Sequence, residues 1–270
     1  DHRDLHSFPT RRSSDLKVVF DFTGTSAVHP GNLNATPAIL RSVVLYVLRV
    51  WLREDLALNE GLMEPVELRC PPSLLSPNFT GDAMVDPAVV GGNVEVSQRL
   101  VDTLFKALSV QACSQGTMNN LLFGNGRFGY YETIAGGSGA GEGYAGTDAV
   151  HTHMTNTAIT DAEILERRYP VRLVRFEIRK GSGGGGAYPG GDGVVREFEF
   201  LEPLTVSVLT QHRTAAPYGL AGGWDGQCGR QVWVSKQGES ELAPVASLTV
   251  EAGDRIIMET PGGGGWGRAR

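Results

Sequence analysis

Glycine is the residue that most constrains this chain. It fills 36 of 270 positions, well above the roughly 7% of ordinary usage, and it gathers into short clusters between hydrophobic segments. The clearest are GSGGGG from Gly181, PGGDG from Pro189, GLAGGWDG from Gly219 and PGGGG from Pro261. Glycine weakens the interior of a helix or strand by roughly 0.5–1 kcal/mol relative to alanine, yet it accepts positive φ and lets backbones approach closely. The clusters therefore predict many special turns between ordinary elements, not a disordered tract. With 41% hydrophobic residues, a chain of this length buries a sizeable core.

The segments between the clusters divide into two kinds. VVFDFTGT, from Val18, alternates and ends in a turn at Gly24, as a strand does. Thr36 and Pro37 supply an N-cap and a first-turn proline for a helix through Ile39, Val43, Val44, Val47, Leu48 and Trp51. A second helix is expected from about Asn93 to Leu108, with Leu100, Val101, Leu104, Phe105 and Leu108 as its apolar stripe and Arg99, Asp102 and Lys106 facing outward. After Pro170 come short β-branched and aromatic runs: VRLVRFEIRK, VVREFEFLE, LTVSVL, RQVWVS and DRIIMET. The fold class expected is α+β, a helix-containing N-terminal part followed by a largely antiparallel, sandwich-like or barrel-like C-terminal half, with a sub-boundary near 170.

The first residues stand apart. HSFPTRRSSDL, from His6 to Leu16, resembles a translated sequencing adapter, so residues 1–17 are expected to be a non-native or disordered leader and 18–270 the C-terminal part of a longer protein. A net charge of −6 and the absence of a basic stripe exclude attraction to nucleic acid or anionic lipid. The longest apolar run, Ile39 to Leu52, is interrupted by Arg41 and Arg49 and is too short to span a bilayer as a helix. Three widely separated cysteines, Cys70, Cys113 and Cys228, fit neither a disulfide framework nor a paired zinc motif, and the compartment expected is the reducing cytoplasm.

Groups suited to chemistry concentrate in Tyr130 to Thr157, YYETIAGGSGAGEGYAGTDAVHTHMTNT. His151 and His153, at i and i+2, share one face if their segment is a strand. They then suit a metal, with Asp148 or Glu132 as a third ligand, or a general base oriented by its neighbour, or hydrogen bonding within a polar seam. Asn156 and the hydroxyls of Thr152, Thr155 and Thr157 make the patch more polar than a core strand tolerates. The G-x-G-x-x-G of Gly141 to Gly146 is not followed by a helix start, so it does not read as a dinucleotide loop. No G-x-x-x-x-G-K-[ST] is present. Ser114, Gln115, Thr117, Asn119 and Asn120 offer hydroxyl and carboxamide groups on a loop between helix and strand, suited either to anchoring a carbonyl or to capping turns. Cys113 beside them is read as a buried structural thiol in preference to a nucleophile served by His151 or His153. The glycines before Trp266 are expected to form a flexible turn.

The order of motifs resembles the hydantoinase B/5-oxoprolinase family: DFTGTS, GNLNA, LNEG, VVGGNVEVSQR, SQGTMNN, YYETIAGGSGAG, HTHMTNT, GGDGVVREFEF and TPGGGGWG run from Val18 to the C-terminus. The resemblance implies part of an ATP-dependent amidohydrolase that opens five-membered lactam or imide rings of the 5-oxoproline or N-methylhydantoin type, with relatives that carboxylate acetone or acetophenone. It also implies a partner, an A-type subunit or domain that holds ATP with magnesium and activates the carbonyl. NDPY- and HHADIGG-type motifs of the family, associated with metal binding, are absent here, so a divalent metal is expected only through a preceding half. From residue chemistry the expected roles are His151 or His153 as base, Glu132 orienting it, and Ser114, Gln115, Thr117, Asn119, Asn120 and Asn156 contacting substrate. The alternative is a non-catalytic half that shapes a tunnel or docks the ATP-using partner.

Overall fold

The computed structural model describes residues 17–54, 57 and 59–269. The leader expected at residues 1–17 lies outside them apart from Lys17. The fold is α+β, built on two hydrophobic cores.

The first core belongs to the N-terminal part. Strand β1 (Val18–Asp21) pairs in parallel with β2 (Val66–Arg69), and helix α1 (Pro37–Leu52) begins as its sequence predicts. The Thr36 side chain accepts from the Ile39 amide and Pro37 occupies the first turn, so the first orphan donors are satisfied without loss of a helical hydrogen bond. Val43, Val44 and Val47 are fully buried against Val101 and Phe105 of α2 (Ser97–Leu108). Each such side chain contributes roughly 1.5–3 kcal/mol on leaving water. A π-helical turn, Gly92–Val96, leads into α2. There Gly91 and Gly92 back onto the main chain of Asn32 to Ala35 so closely that an added Cβ would lie 2.7 and 2.4 Å from backbone oxygens.

The second core lies between two antiparallel sheets. One is four-stranded, in the order β10 (Val245–Val250), β7 (Leu204–Leu209), β3 (Asn120–Gly124), β4 (Gly129–Glu132). The other is five-stranded, in the order β5 (Val171–Arg179), β6 (Gly193–Phe200), β11 (Arg255–Glu259), β8 (Arg230–Ser235), β9 (Gly238–Glu241). Leu121, Phe123, Val206 and Val208 of the first meet Phe198, Phe200, Ile256 and Met258 of the second, and the short helix α3 (Ala162–Arg168) adds Leu165. Phe123 stacks on Tyr130 at 4.5 Å between ring centroids and meets Phe200 edge-on at 5.8 Å. This is the sandwich-like arrangement expected from the short strands after Pro170. The four-stranded sheet draws on both sides of residue 170, because β3 pairs with β7.

The glycine clusters form neither simple turns nor a ligand loop. Segments 112–115, 136–147, 182–193, 217–229 and 261–267 run beside one another, joined main chain to main chain. Gly137 N–H donates to Pro261 O, Gly191 N–H to Ser138 O, Gly263 N–H to Gly191 O, and Gly264 N–H to Cys113 O, at 2.7–3.0 Å. An added Cβ would sit 1.9 Å from Gly191 O at Gly137, 1.8 Å from Ala112 O at Gly139 and 2.0 Å from Ser138 O at Gly263. The expectation of a flexible C-terminal turn is thereby overturned. Pro261 to Gly265 are buried and threaded through this sheaf, because only residues without a side chain can pack backbone on backbone at such separations.

Candidate active site

Helix α2 carries a buried polar face. Glu95, in the π turn, and Gln98 and Asp102 follow at helical spacing, and all three are buried beside the apolar stripe. The outward placement expected of Arg99, Asp102 and Lys106 holds only for Lys106. Arg99 is half-buried and Asp102 is 2% exposed. Spacing alone does not separate a solvated helix face from one covered by loops.

The loop it meets is the histidine segment, and this is not a strand. Residues 151–157 form a turn in which Thr155 N–H donates to Thr152 O at 3.0 Å, and His153 sits at φ +53°, a left-handed conformation that the surroundings must hold in place. Gln98 Nε2 donates to Thr152 O at 3.0 Å and contacts the Thr155 hydroxyl. The i, i+2 pair therefore does not share a face. His153 is buried between α1 and α2, its Nε2 3.2 Å from Asp102 Oδ1 and its Nδ1 3.2 Å from the Tyr46 hydroxyl. Phe105 packs edge-on to its ring at 5.4 Å. Burial, with the Asp102 charge nearby, pushes the Tyr46 phenol up to about 12, so it stays protonated near neutrality and acts as a donor. Tyr46, His153 and Asn156 line a cavity of about 710 Å³ with Ser42, Arg49 and Glu54. His151 faces a second cavity of about 420 Å³, beside Phe176 and Asn156. Its Nδ1 is 3.4 Å from Thr157 O, and burial lowers its pKa.

The carboxylates proposed as partners of the histidines are engaged elsewhere. Glu132, on β4, forms a two-pronged pair with Arg196 of β6 at 2.9 and 3.0 Å, both side chains buried. It also accepts from the Tyr130 hydroxyl and the Thr160 amide. The pair bridges the two sheets, while Asp102 occupies the orienting position at His153. Asp148 accepts from the Asp192 amide.

The Ser114 to Asn120 segment is the expected loop between α2 and β3, and all its residues are buried. Ser114 Oγ accepts from the Gly139 amide and the Ser114 amide donates to Asp102 Oδ1. Gln115 Oε1 accepts from Asn119 Nδ2 at 2.6 Å. Thr117 Oγ1, Met118 N–H and Asn120 Nδ2 all donate to Glu95 Oε1 at 2.7–3.2 Å. Arg213 reaches Asn119 Oδ1 at 3.0 Å. Even with these donors, burial dominates and raises the Glu95 carboxyl to about 8. The loop's polar groups thus largely hold one another, and Asn120 lies in the wall of a groove of about 680 Å³ lined also by Leu122 and Tyr131.

Cys113 is 1% exposed, and burial pushes its thiol well above the usual range. This agrees with the buried structural thiol. The imidazole beside it is that of His212, Nε2 3.6 Å from Sγ, and neither His151 nor His153. His212 carried no motif, and only the fold brings it to Cys113 from the far end of β7. In the G-x-G-x-x-G segment, an added Cβ on Gly141 would meet the Tyr144 ring and one on Gly146 would meet Ser138 O. These two glycines face protein, while Gly143 between them, at φ +87°, has nothing within 4 Å.

The Hydantoinase B/oxoprolinase family model matches residues 10–269. The chain belongs to the hydantoinase B/oxoprolinase family. It is 49% identical over 250 residues to 5-oxoprolinase 1 of Arabidopsis thaliana, a match that covers 92% of this chain and 19% of that protein. The fold is similar to that of the ATP-dependent caprolactamase of Pseudomonas jessenii, with a TM-score of 0.76 at 23% identity over 90% of this chain and 45% of the other. It is also similar to that of an acetone carboxylase in its nucleotide-free structure, with a TM-score of 0.77 at 17% identity over 93% of this chain and 39% of the other. The chain spans about a fifth of the length of its 5-oxoprolinase relatives. No described helix is long and apolar enough to cross a membrane.

Proposed function

We propose that this hydantoinase B-family chain is part of an ATP-dependent amidohydrolase that opens a five-membered cyclic amide, 5-oxoproline foremost, together with an A-type subunit or domain that uses ATP. The observation that carries this reading is near-half identity to 5-oxoprolinases across almost the whole chain. This reading places ATP and its magnesium on the partner, and no step here runs through them. The ligands of any further divalent metal of the carboxylase type would lie in a preceding half. A cytoplasmic setting follows from the same reading.

In this proposal His153 is the base. Asp102 Oδ1 accepts the Nε2 proton and fixes the tautomer, leaving the Nδ1 lone pair toward Tyr46 and the cavity. His153 then takes the proton of an attacking water, directly or through the Tyr46 hydroxyl. The water oxygen bonds to the ring carbonyl carbon, the ring C–N bond breaks, and the nitrogen leaves with the proton that His153 took from the water. Asn156 in the same wall offers a carboxamide to the ring. The Ser114 to Asn120 loop acts by holding α2 and β3 in register, with Asn120 in the wall of the groove beside Leu122 and Tyr131. The direct test is an assay of the full-length protein with its partner, 5-oxoproline and ATP. Glutamate formation coupled to ATP hydrolysis is expected. Turnover of a hydantoin or of a ketone with bicarbonate, with none of 5-oxoproline, would replace this reading.

A further inference from the structure

Asp102, Cys113 and His212 come from α2, the loop before β3 and the segment after β7, and all three are buried, at 2%, 1% and 6% exposure. One ligand atom from each lies within 4.8 Å of the other two. We infer that these three side chains form a binding site for a zinc-class divalent cation, one that shares Asp102 with His153 but does not rest on the role proposed for that imidazole.

The geometry is that of a site set for a metal. A tetrahedral ion with Zn–S of about 2.3 Å and Zn–N of about 2.0 Å separates its sulfur and nitrogen ligands by roughly 3.5 Å. Cys113 Sγ and His212 Nε2 stand 3.6 Å apart. His212 Nδ1 lies 2.5 Å from Ala215 O, so the ring proton is held there and the Nε2 lone pair points inward, the orientation that an outer-shell carbonyl gives a ligating imidazole. The residue is at φ +51°, a backbone conformation held by its surroundings. Asp102 spends one oxygen on Ser114 N–H and His153 Nε2, at 3.1 and 3.2 Å, while its buried Oδ2 has no hydrogen-bond partner. That oxygen faces the same space as His212. A methyl group placed on Gly116 would meet His212 Nε2 at 2.5 Å and Asp102 Oδ2 at 3.1 Å.

One thiolate, one imidazole and one carboxylate suit zinc or a neighbouring transition metal and do not suit magnesium or calcium, which take oxygen ligands. Binding deprotonates the Cys113 thiol, and the released proton goes to solvent. The Arg99 guanidinium contacts His212 Nε2, so the ion must displace it from that nitrogen. A nucleophilic Cys113–His212 pair fits less well. The thiol is buried, at 1% exposure, away from any surface where a substrate carbonyl could approach.

The test uses the full-length protein, stripped of metal and titrated with zinc or cobalt. The expected result is a near-ultraviolet thiolate-to-cobalt charge-transfer band that Cys113→Ser abolishes. In the wild type, in mild urea where local opening exposes the buried thiol to reagent, zinc should slow alkylation of Cys113 while leaving Cys70 and Cys228 unchanged. His153→Gln, which removes the outer-shell bond to Asp102, should weaken zinc binding about 10- to 100-fold. A cobalt complex without the thiolate band, or a band that survives in Cys113→Ser, would overturn the site. If Cys113→Ser does not fold, the wild-type alkylation rate decides, and equal rates with and without zinc refute the proposal.

Discussion

The glycine sheaf and the buried polar face of α2 meet at residues 112–115, and they solve opposite problems. In the sheaf, backbones pack directly on one another, most hydrogen bonds run main chain to main chain, short side chains such as Ser114, Ser138, Ser182 and Asp192 take up others, and interior glycines such as Gly137, Gly139 and Gly263 leave no room for added atoms. Along α2 the reverse holds. Glu95, Gln98 and Asp102 reach out from a regular helix to hold loops by their side chains. Two regions equally poor in aliphatic residues thus differ in what they leave free. The sheaf leaves little beyond shape, while the α2 face leaves an oriented imidazole at a cavity wall.

The largest effect expected from this contrast is at the sheaf. Gly137→Ala would place a methyl group 1.9 Å from Gly191 O and 2.5 Å from Gly263 N. Overpacking of this kind costs about 3 kcal/mol or more, and the variant should lose its cooperative urea transition or its solubility. Gly129→Ala, where nothing lies within 4 Å, should stay within about 0.5 kcal/mol of wild type. Equal costs at the two positions would break the distinction. Next comes Glu132→Ala, which strands the buried Arg196 between the sheets. A loss of about 3–5 kcal/mol is expected in urea melts, and an unchanged midpoint would remove Glu132 from the framework.

A smaller effect sharpens the account of the α2 face. The folded pKa of Glu95, about 8, lies above the ordinary value of 4.5. The stability it contributes is therefore present in full below about 4.5 and is lost as pH rises through 8. Glu95→Gln keeps an oxygen for Thr117, Met118 and Asn120 but does not ionise. Its stability relative to wild type should climb between pH 4.5 and 8 and level off above. Parallel stability curves across that range would show that the carboxyl is not desolvated as described.

Much of the scaffold was legible in the sequence. Thr36 and Pro37 announced α1, the apolar stripe of Leu100 to Leu108 announced α2, and the runs after Pro170 became β5, β6, β7, β8 and β11, because capping and periodicity are local signals. Strands β9 and β10 were not read, since GESE has no apolar alternation and VASLTV is half polar. The site was half legible. HTHMTNT and SQGTMNN stand out in the sequence as motifs, but their geometry depends on contacts that sequence spacing does not encode. His153 lies in a left-handed turn, Asp102 takes the place assigned to Glu132, and His212 reaches Cys113 across 99 positions of chain. The glycine clusters were recognised as special backbone, but turns and interlocked backbones share one composition.

The most direct measurement of the central claim, that the α2 face orients His153 as the base, is ring opening by the full-length protein with its ATP-using partner, compared between His153→Ala and His151→Ala. His153→Ala should lower the rate about 10²- to 10⁴-fold, with the fold confirmed by an unchanged urea midpoint for the sheet core, and His151→Ala should lose much less. Full turnover in His153→Ala, or the greater loss in His151→Ala, would contradict the account.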